Sequence, residues 1–366
     1  MKRILVISNL YPSKDAPFYG SFVKNFVDQL KDYVKGKDVE VKICVLSGRN
    51  DGKFKKLSKY LSFYLRLFYN LIFFNYSMIY VHLITHATLP IKIVSKFKKL
   101  NLVFNIHGED LLVTTPLAKR LLDMARPVVE NAHLVVVPSI YFKNITERVM
   151  PKLSKDRIIV SASGGVKSDF FVDESYIKDC ERDNDVLNIG YVSRIDRGKG
   201  WETLIEAIDI LNREGCNIKA TIIGGGLEAN GLRKKIKDNS LCNVDFVGPV
   251  GYDQLPDYYN KMDLFVFPTL LRESVGLVGL EAMAAGVPVV GSNIGGLTDY
   301  IMEGKNGFLF EPGNAKKLAE GVRRYLSMSK NQKIEMKMVA RATAENYRSD
   351  RVAGKLFDYL FENVVK

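Results

Sequence analysis

Cysteine is scarce in this chain. The four present in 366 residues (Cys44, Cys180, Cys216, Cys242) lie far apart, with no C-x-x-C pair and no Cys/His spacing suited to metal ligation. Neither a disulfide framework nor a zinc centre is expected, which suits a reducing cytoplasm. Long apolar runs are missing too. No uninterrupted stretch approaches ~20 residues, so no membrane-spanning helix is expected. Met1-Lys-Arg-Ile-Leu-Val-Ile-Ser8 carries basic residues but too short an apolar run before Asn9 and Pro12 for a secretory leader, and it reads as a first buried strand. Acidic residues are short in one half only. Residues 1–170 hold 27 Lys+Arg against 13 Asp+Glu, while residues 171–366 hold 26 against 28, so the net charge of +12 arises in the N-terminal half. That asymmetry points the first half toward an anionic partner, membrane or nucleic acid.

What is present fits two globular domains: 47% hydrophobic and 26% charged residues over a length sufficient for two cores. Short apolar runs suited to buried parallel strands recur at Ile4–Ile7, Val41–Leu46, Met78–His82, Leu102–Ile106 and Leu134–Val137, with helical patterns such as Ser21–Tyr33 and Thr88–Lys99 between them. Alternating strand and helix predicts a doubly wound α/β sheet. The segment Ser168–Asp185 turns polar and reads as the interdomain connection. The alternation then restarts with Leu187–Val192, a helix over Gly200–Arg213, Ala220–Ile223, Val244–Val247, Leu264–Phe267 and Val287–Gly291. The expected division is residues 1–170 and 171–345, with a last helix (about 346–366) packing back on the first domain. Two such domains facing each other place a ligand cleft where the strand ends meet.

The densest chemical signal is Arg272-Glu-Ser-Val-Gly-Leu-Val-Gly-Leu-Glu-Ala-Met-Ala-Ala-Gly286, after the apolar run Leu264-Phe-Val-Phe-Pro268. A helix is predicted from near Gly276 through Ala285, stopped by Gly286-Val-Pro288. Glu281 then lies about one and a half turns inside an otherwise apolar or small helix, where a carboxylate is costly without hydrogen-bond donors. Glu273 precedes the helix, in a loop able to aim it at a ligand. Between them, the free N–H groups of the helix start form a phosphate seat. Carboxylates on either side of an anion site match a nucleotide-sugar, with ribose at one end, diphosphate in the middle and hexose at the other. A structural ion pair at Glu281 with a solvated Glu273 is the alternative for these two residues alone.

Other segments add to the pattern. Gly190-Tyr-Val-Ser-Arg-Ile-Asp-Arg-Gly-Lys-Gly200 follows a strand and opens a helix, so Arg194 and Lys199 can reach the same phosphate oxygens. Gly224-Gly-Gly226 lacks the G-x-G-x-x-G spacing and shows only a close backbone approach. Val247-Gly-Pro-Val-Gly251 is a strand end suited to backbone contacts with a flat base, placing Val250 there. In the first half, Asn105-Ile-His-Gly-Glu-Asp110 sets His107 in a glycine turn, available for substrate contact or proton transfer. The loop Tyr11–Ser21 brings Gly20 to a helix start, again a phosphate approach. The triplet Asp183-Asn-Asp185 has metal-binding composition but precedes a strand rather than following one, so no metal site is expected there.

These residues together resemble the retaining glycosyltransferases of family 4. The resemblance runs best from Gly190 to Pro312, through Arg194/Lys199, Gly224–Gly226, Phe246-Val-Gly248, the E-x7-E pair Glu273/Glu281, Gly295-Gly296 and Gly307-Phe-Leu, and more loosely through Gly20 and His107-Gly-Glu-Asp110. It implies the GT-B fold, two Rossmann-like domains across a deep cleft, and metal-independent transfer from a UDP- or GDP-sugar with retained anomeric configuration. By the same resemblance Arg194 and Lys199 bind the donor diphosphate, Glu281 holds the ribose hydroxyls, and Glu273 with the backbone of Ser274, Val275, Gly276, Leu277 and Val278 holds the sugar and distal phosphate. Val250 falls near the base and His107 near the transferred sugar, with Asp110 toward the acceptor. Two departures stand out: Gly164-Gly-Val-Lys167 where many relatives have Asn-Gly-Val-Asp, and Val275 where a bulkier residue is common. The alternatives are a GT-B-like nucleotide-sugar epimerase and a non-catalytic basic scaffold for membrane or nucleic acid. Basic residues are not woven into a nucleic-acid recognition motif, so a nucleic-acid partner is not expected.

The segment Lys53–Phe74 starts basic and becomes densely aromatic and aliphatic. At helical spacing Leu57, Leu61, Tyr64, Leu65 and Phe68 share a face, away from Lys55 and Lys59. Such a helix can lie on an anionic leaflet, and with the basic charge of the same half it predicts a cytoplasmic protein held peripherally at the membrane, acting on a glycan or lipid-linked acceptor in cell-envelope polysaccharide or glycolipid synthesis. Lys53, Lys55, Lys56 and Lys59 are the expected charge contacts. A core helix with a solvated basic end is the competing reading.

Overall fold

The computed structural model describes residues 1–16, 19–48, 52–162, 164–179 and 186–365. They form two compact units, Met1–Gly164 with Asp350–Lys366, and Gly165–Ser349. The first runs β1 (Lys2–Tyr11), α1 (Ser21–Tyr33), β2 (Val39–Ser47), α2 (Lys53–Phe73), β3 (Met78–His82), α3 (Thr88–Val94), β4 (Leu102–Asn105), α4 (Pro116–Glu130), β5 (Leu134–Val137), α5 (Ile140–Val149) and β6 (Ile158–Val160). Its sheet is parallel throughout, ordered β2-β1-β3-β4-β5-β6. Helices cover both faces, so Ile4–Ile7, Met78–His82 and Leu134–Val137 are buried continuously rather than on alternate residues.

The second unit contains α6 (Glu174–Asp179), β7 (Leu187–Val192), α7 (Trp201–Arg213), β8 (Ile218–Ile223), α8 (Ala229–Asp238), β9 (Val244–Gly248), α9 (Leu255–Tyr259), β10 (Leu264–Phe267), α10 (Leu277–Ala284), β11 (Val289–Ser292), β12 (Gly307–Phe310), α11 (Ala315–Leu326) and α12 (Lys330–Glu345). Its strands order as β12-β11-β10-β7-β8-β9, also parallel. Counted from β7, this is the Rossmann order, and the chain reverses direction across the sheet between β7 and β10. Ligands of open α/β sheets bind beyond the carboxyl ends of the strands at such a reversal. The last helix, α13 (Ser349–Asn363), lies for most of its length on the sheet of the first unit beside α1. Phe357 packs edge-on to Phe26 with 5.5 Å between ring centroids, and the Tyr33 hydroxyl donates to Asp358 at 2.6 Å.

Several boundaries differ from the sequence expectation. The polar segment from Ser168 onward belongs, in its described part, to the second unit, because Phe170 is buried against Tyr252 and Tyr259 and Ile177 is buried. Helix α3 stops at Val94 rather than Lys99. Lys98 instead sends its ammonium to the last carbonyls of α2, at 2.8 Å from Leu71 O and 2.7 Å from Phe74 O, where orphan carbonyls and the helix dipole favour a cation. Helix α2 buries Phe63, Leu67 and Leu71, with Tyr64 and Phe68 half-buried against the same core, and leaves Leu57, Leu61 and Leu65 exposed. It is therefore a core helix that carries a second, outward apolar stripe.

Candidate active site

The reversal between β7 and β10 brings two loops together. After β7 the chain turns through Ser193–Gly200 into α7, and after β10 it passes Pro268–Gly276 into α10. Gly200 caps α7 at φ +78°, and a Cβ there would lie 1.8 Å from the Pro268 carbonyl oxygen, so only glycine permits this approach. The amide of Leu270 donates to Gly198 O at 2.8 Å, locking one loop to the other.

Three side chains meet at that junction. Lys199 Nζ donates to Glu273 Oε1 at 2.8 Å, and Thr269 Oγ1 donates to the same oxygen at 2.9 Å. Both charged partners are largely covered, with side-chain exposures of 15% and 19%. The loop holding Glu273 is fixed from behind by Gly296 N donating to its carbonyl at 2.8 Å. Gly276, left-handed at φ +81°, starts α10, and its carbonyl accepts from the buried Tyr300 hydroxyl at 3.1 Å. The first turn of α10 thus follows directly on the Lys199/Glu273 pair. Its Gly279 amide donates to Gly276 O at 3.0 Å, which leaves the amides of Leu277 and Val278 as the ones a helix start offers without intrahelical acceptors. Ser274, Gly276, Leu277 and Val278 are half-buried and Val275 is buried.

Glu281 lies in the wall beneath. It is 3% exposed, yet both oxygens are satisfied: Tyr252 OH donates to Oε1 at 2.9 Å and Tyr259 OH to Oε2 at 3.2 Å. Burial raises its pKa, while the two hydroxyls and the charge of Lys167 pull it down. Lys167 Nζ itself stands 5.0 Å over the Tyr252 ring. Val250, half-buried, follows β9 in the chain. Arg194 does not join Lys199 in the structure. Its guanidinium pairs with Asp196 at 3.1 Å and its side chain is 72% exposed. Tyr252 and Tyr259 escape sequence reasoning because Glu281 lies on another element, and Thr269, four residues before Glu273 in the same loop, because a hydroxyl carries no spacing signature. Lys167 stands out in the sequence only as a departure in the hinge loop, with no contact to Tyr252 or Glu281 expected.

In the first unit, His107 follows β4 and His82 ends the neighbouring β3. Their rings stack at 24°, and His107 Nε2 lies 3.0 Å from His82 Nδ1. Burial lowers both, His107 to about 3, so each is neutral near pH 7. A ring held so low is a weak base, which favours hydrogen bonding over proton transfer for His107. Asp110, expected toward the acceptor, is turned inward instead. Its Oδ1 accepts from the amides of His107 (3.1 Å) and Gly108 (3.0 Å) and its Oδ2 from Ile84 (3.2 Å), so it clamps the turn. Burial raises its pKa to about 6 against the lowering effect of those amides. Gly20 caps α1 in the left-handed region, with no acidic residue in the first turn.

Among the described residues no three His, Cys, Asp or Glu side chains converge as metal ligands, and Asp183-Asn-Asp185 lies outside the described residues. Among the described residues no helix is long and apolar enough to cross a membrane.

Residues 173–344 match the family described as glycosyl transferases group 1. The capsular polysaccharide biosynthesis glycosyltransferase CapM of Staphylococcus aureus is 35% identical over 144 residues, 39% of this chain and 38% of that protein. A GDP-mannose-dependent alpha-(1-6)-phosphatidylinositol monomannoside mannosyltransferase of Mycobacterium tuberculosis is 33% identical over 178 residues, 46% of each chain. The chain spans less than half the length of these relatives. Among solved structures, sucrose-phosphate synthase from Thermosynechococcus elongatus superposes with a TM-score of 0.75 at 19% identity over 99% of this chain and 100% of its own. HepE of Anabaena, in complex with UDP and glucose, gives 0.72 at 20% identity over 99% and 100%. The two-unit α/β fold is the GT-B fold of these proteins.

Proposed function

We propose that this chain is a retaining glycosyltransferase that moves a sugar from a UDP- or GDP-sugar to a glycan or lipid-linked acceptor, without a metal. The observation that carries the reading is the Lys199–Glu273–Thr269 cluster at the start of α10, with Glu281 buried eight residues on. A leaving diphosphate needs its charge stabilised, and Lys199, the helix N-terminus and a repositioned Arg194 supply that stabilisation. Glu273 then faces the sugar and Glu281 the ribose. Further support comes from the similar proteins, one dependent by name on GDP-mannose and others solved with UDP or UDP-glucose. Calorimetry with UDP and GDP in excess chelator is expected to show one bound nucleotide. Binding that appears only on adding magnesium would defeat the metal-independent reading.

The acceptor side of the proposal rests on the surface of α2, α3 and α4. Of 21 exposed large apolar side chains among the described residues, 11 lie between Phe54 and Leu117. They include Leu57, Leu61, Leu65 and Ile72 on α2, Leu89 and Ile93 on α3, and Phe97 just beyond it. Exposed Lys55, Lys56, Lys96, Lys119 and Arg120 lie among them. An apolar face edged by cations fits the headgroup region of an anionic leaflet, and a lipid-linked glycan presents its sugar there. CapM, by name a capsular polysaccharide enzyme, and the mannosyltransferase, by name acting on a phosphatidylinositol mannoside, fit an envelope acceptor. In flotation assays the protein is expected to rise with anionic vesicles and to stay down with neutral ones. Lys55→Glu with Lys56→Glu should weaken that binding by at least about thirtyfold, each basic residue being worth about 1 kcal/mol. Equal recovery with both vesicle types would remove the membrane from the reading.

A further inference from the structure

Glu281 poses a physical problem for any ribose that is to reach it. The carboxylate is 3% exposed and both of its oxygens already accept from tyrosine hydroxyls. The two tyrosines are not alike. Tyr259 closes α9, is fully buried and packs against Phe170 and Phe265, and its hydroxyl also reaches Val278 O at 3.2 Å. Tyr252 follows Gly251 in a single 3-10 turn (Tyr252–Gln254) and its residue is 42% exposed. Its ring is flanked by Phe170, with centroids 5.2 Å apart, and by the Lys167 ammonium at 5.0 Å. Tyr259 is therefore fixed, and Tyr252 covers the carboxylate from the solvent side.

We propose that Tyr252 is a movable cover of the ribose subsite, exchanged for a ribose hydroxyl when a nucleoside diphosphate binds. The inference rests on the donor-site reading of Glu281. A buried carboxylate left without donors is costly, so a site that simply opened would be penalised whenever the nucleotide left. With Tyr252 in place Glu281 keeps two O–H donors in both states. One comes always from Tyr259, and the other comes alternately from Tyr252 and the ribose. Lys167 adds a further element. Its ammonium supports the ring in the covering position by cation–π attraction and offsets the carboxylate charge. Tyr252 is thus a specificity residue for the sugar-bearing end of the nucleoside, favouring ligands whose hydroxyls can replace its own.

The exchange predicts a change of unusual sign. Tyr252→Phe removes the resident donor and leaves Glu281 Oε1 unpaired until nucleotide arrives, so UDP or GDP affinity by calorimetry should rise about tenfold. The same variant without nucleotide should melt below wild type and recover when nucleotide is added. Tyr259→Phe, which removes the fixed donor, should instead lower affinity. 2′,3′-Dideoxy-UDP, which cannot replace the hydroxyl, should gain nothing from Tyr252→Phe. Unchanged or weaker nucleotide binding in Tyr252→Phe would overturn the exchange and make Tyr252 a fixed support like Tyr259. Failure of wild type and variant alike to bind UDP or GDP would overturn the donor-site reading, and this inference with it.

Discussion

Glu273→Gln is expected to lower sugar transfer by about a thousandfold while leaving nucleoside diphosphate affinity within about threefold of wild type. The asymmetry follows from what the carboxylate touches. Its Oε1 is held by Lys199 at 2.8 Å and Thr269 at 2.9 Å, and its backbone is tied to Gly296. On the proposed reading, the side chain is thereby aimed from a fixed loop at the sugar beyond the diphosphate. Glutamine keeps the size and one acceptor oxygen but removes the charge that complements Lys199 and a developing positive charge on the sugar. A diphosphate meets Lys199 either way, and in the variant that ammonium has lost its competitor. Transfer rates and calorimetric affinities measured on the same preparation decide the matter. A variant that keeps a tenth of wild-type transfer, or that loses nucleotide and activity in proportion, would show that Glu273 only supports the loop.

Much of this site was legible because it is written locally. The runs Met78–His82 and Leu134–Val137 are strands to the residue, since continuous β-branched and aromatic stretches flanked by polar turns leave few alternatives. The start of α10 at Gly276 and the burial of Glu281 follow from glycine placement and helical spacing, whereas the sequence pairs Lys199 with Arg194 and does not anticipate its contact with Glu273. What stayed hidden depends on partners distant in sequence. Strands β6 and β12 are three- and four-residue sheet edges whose sequences carry too little periodicity to separate them from loops. The inward turn of Asp110 depends in part on the Ile84 amide on the neighbouring strand's exit. Arg194 is a different case: its partner Asp196 is only two residues on, and the spacing does not say whether the guanidinium turns to it or to Lys199. For α2 the structure shows the core-helix reading, and the expected single face is split: Tyr64 and Phe68 turn to the core while Leu57, Leu61 and Leu65 stay outward, since a helix of 21 residues has room for a core face and an outward apolar stripe.

Glu281→Gln is expected to weaken UDP or GDP binding by roughly ten- to a hundredfold, the range for a hydrogen bond to a charged group. The amide retains one acceptor but introduces an N–H₂ among hydroxyl donors, so one contact in the Tyr252–Tyr259–ribose set must fail. pH separates this role from a structural one. Burial raises the Glu281 pKa, which disfavours its charged form in the folded protein. A raised folded pKa contributes stability that is fully present below the unfolded carboxylate value and is lost as pH rises through the folded one. Donor affinity moves the other way, because ribose hydroxyls donate best to the ionised carboxylate. Raising pH through the Glu281 titration should therefore cost stability measured without nucleotide while tightening nucleotide binding, and Glu281→Gln should flatten both trends. If Glu281 were only a satisfied buried acid, stability alone would respond and the affinity profile of wild type and variant would coincide. Opposed slopes that vanish together in the variant identify the same carboxylate as a buried charge and as the nucleoside's acceptor.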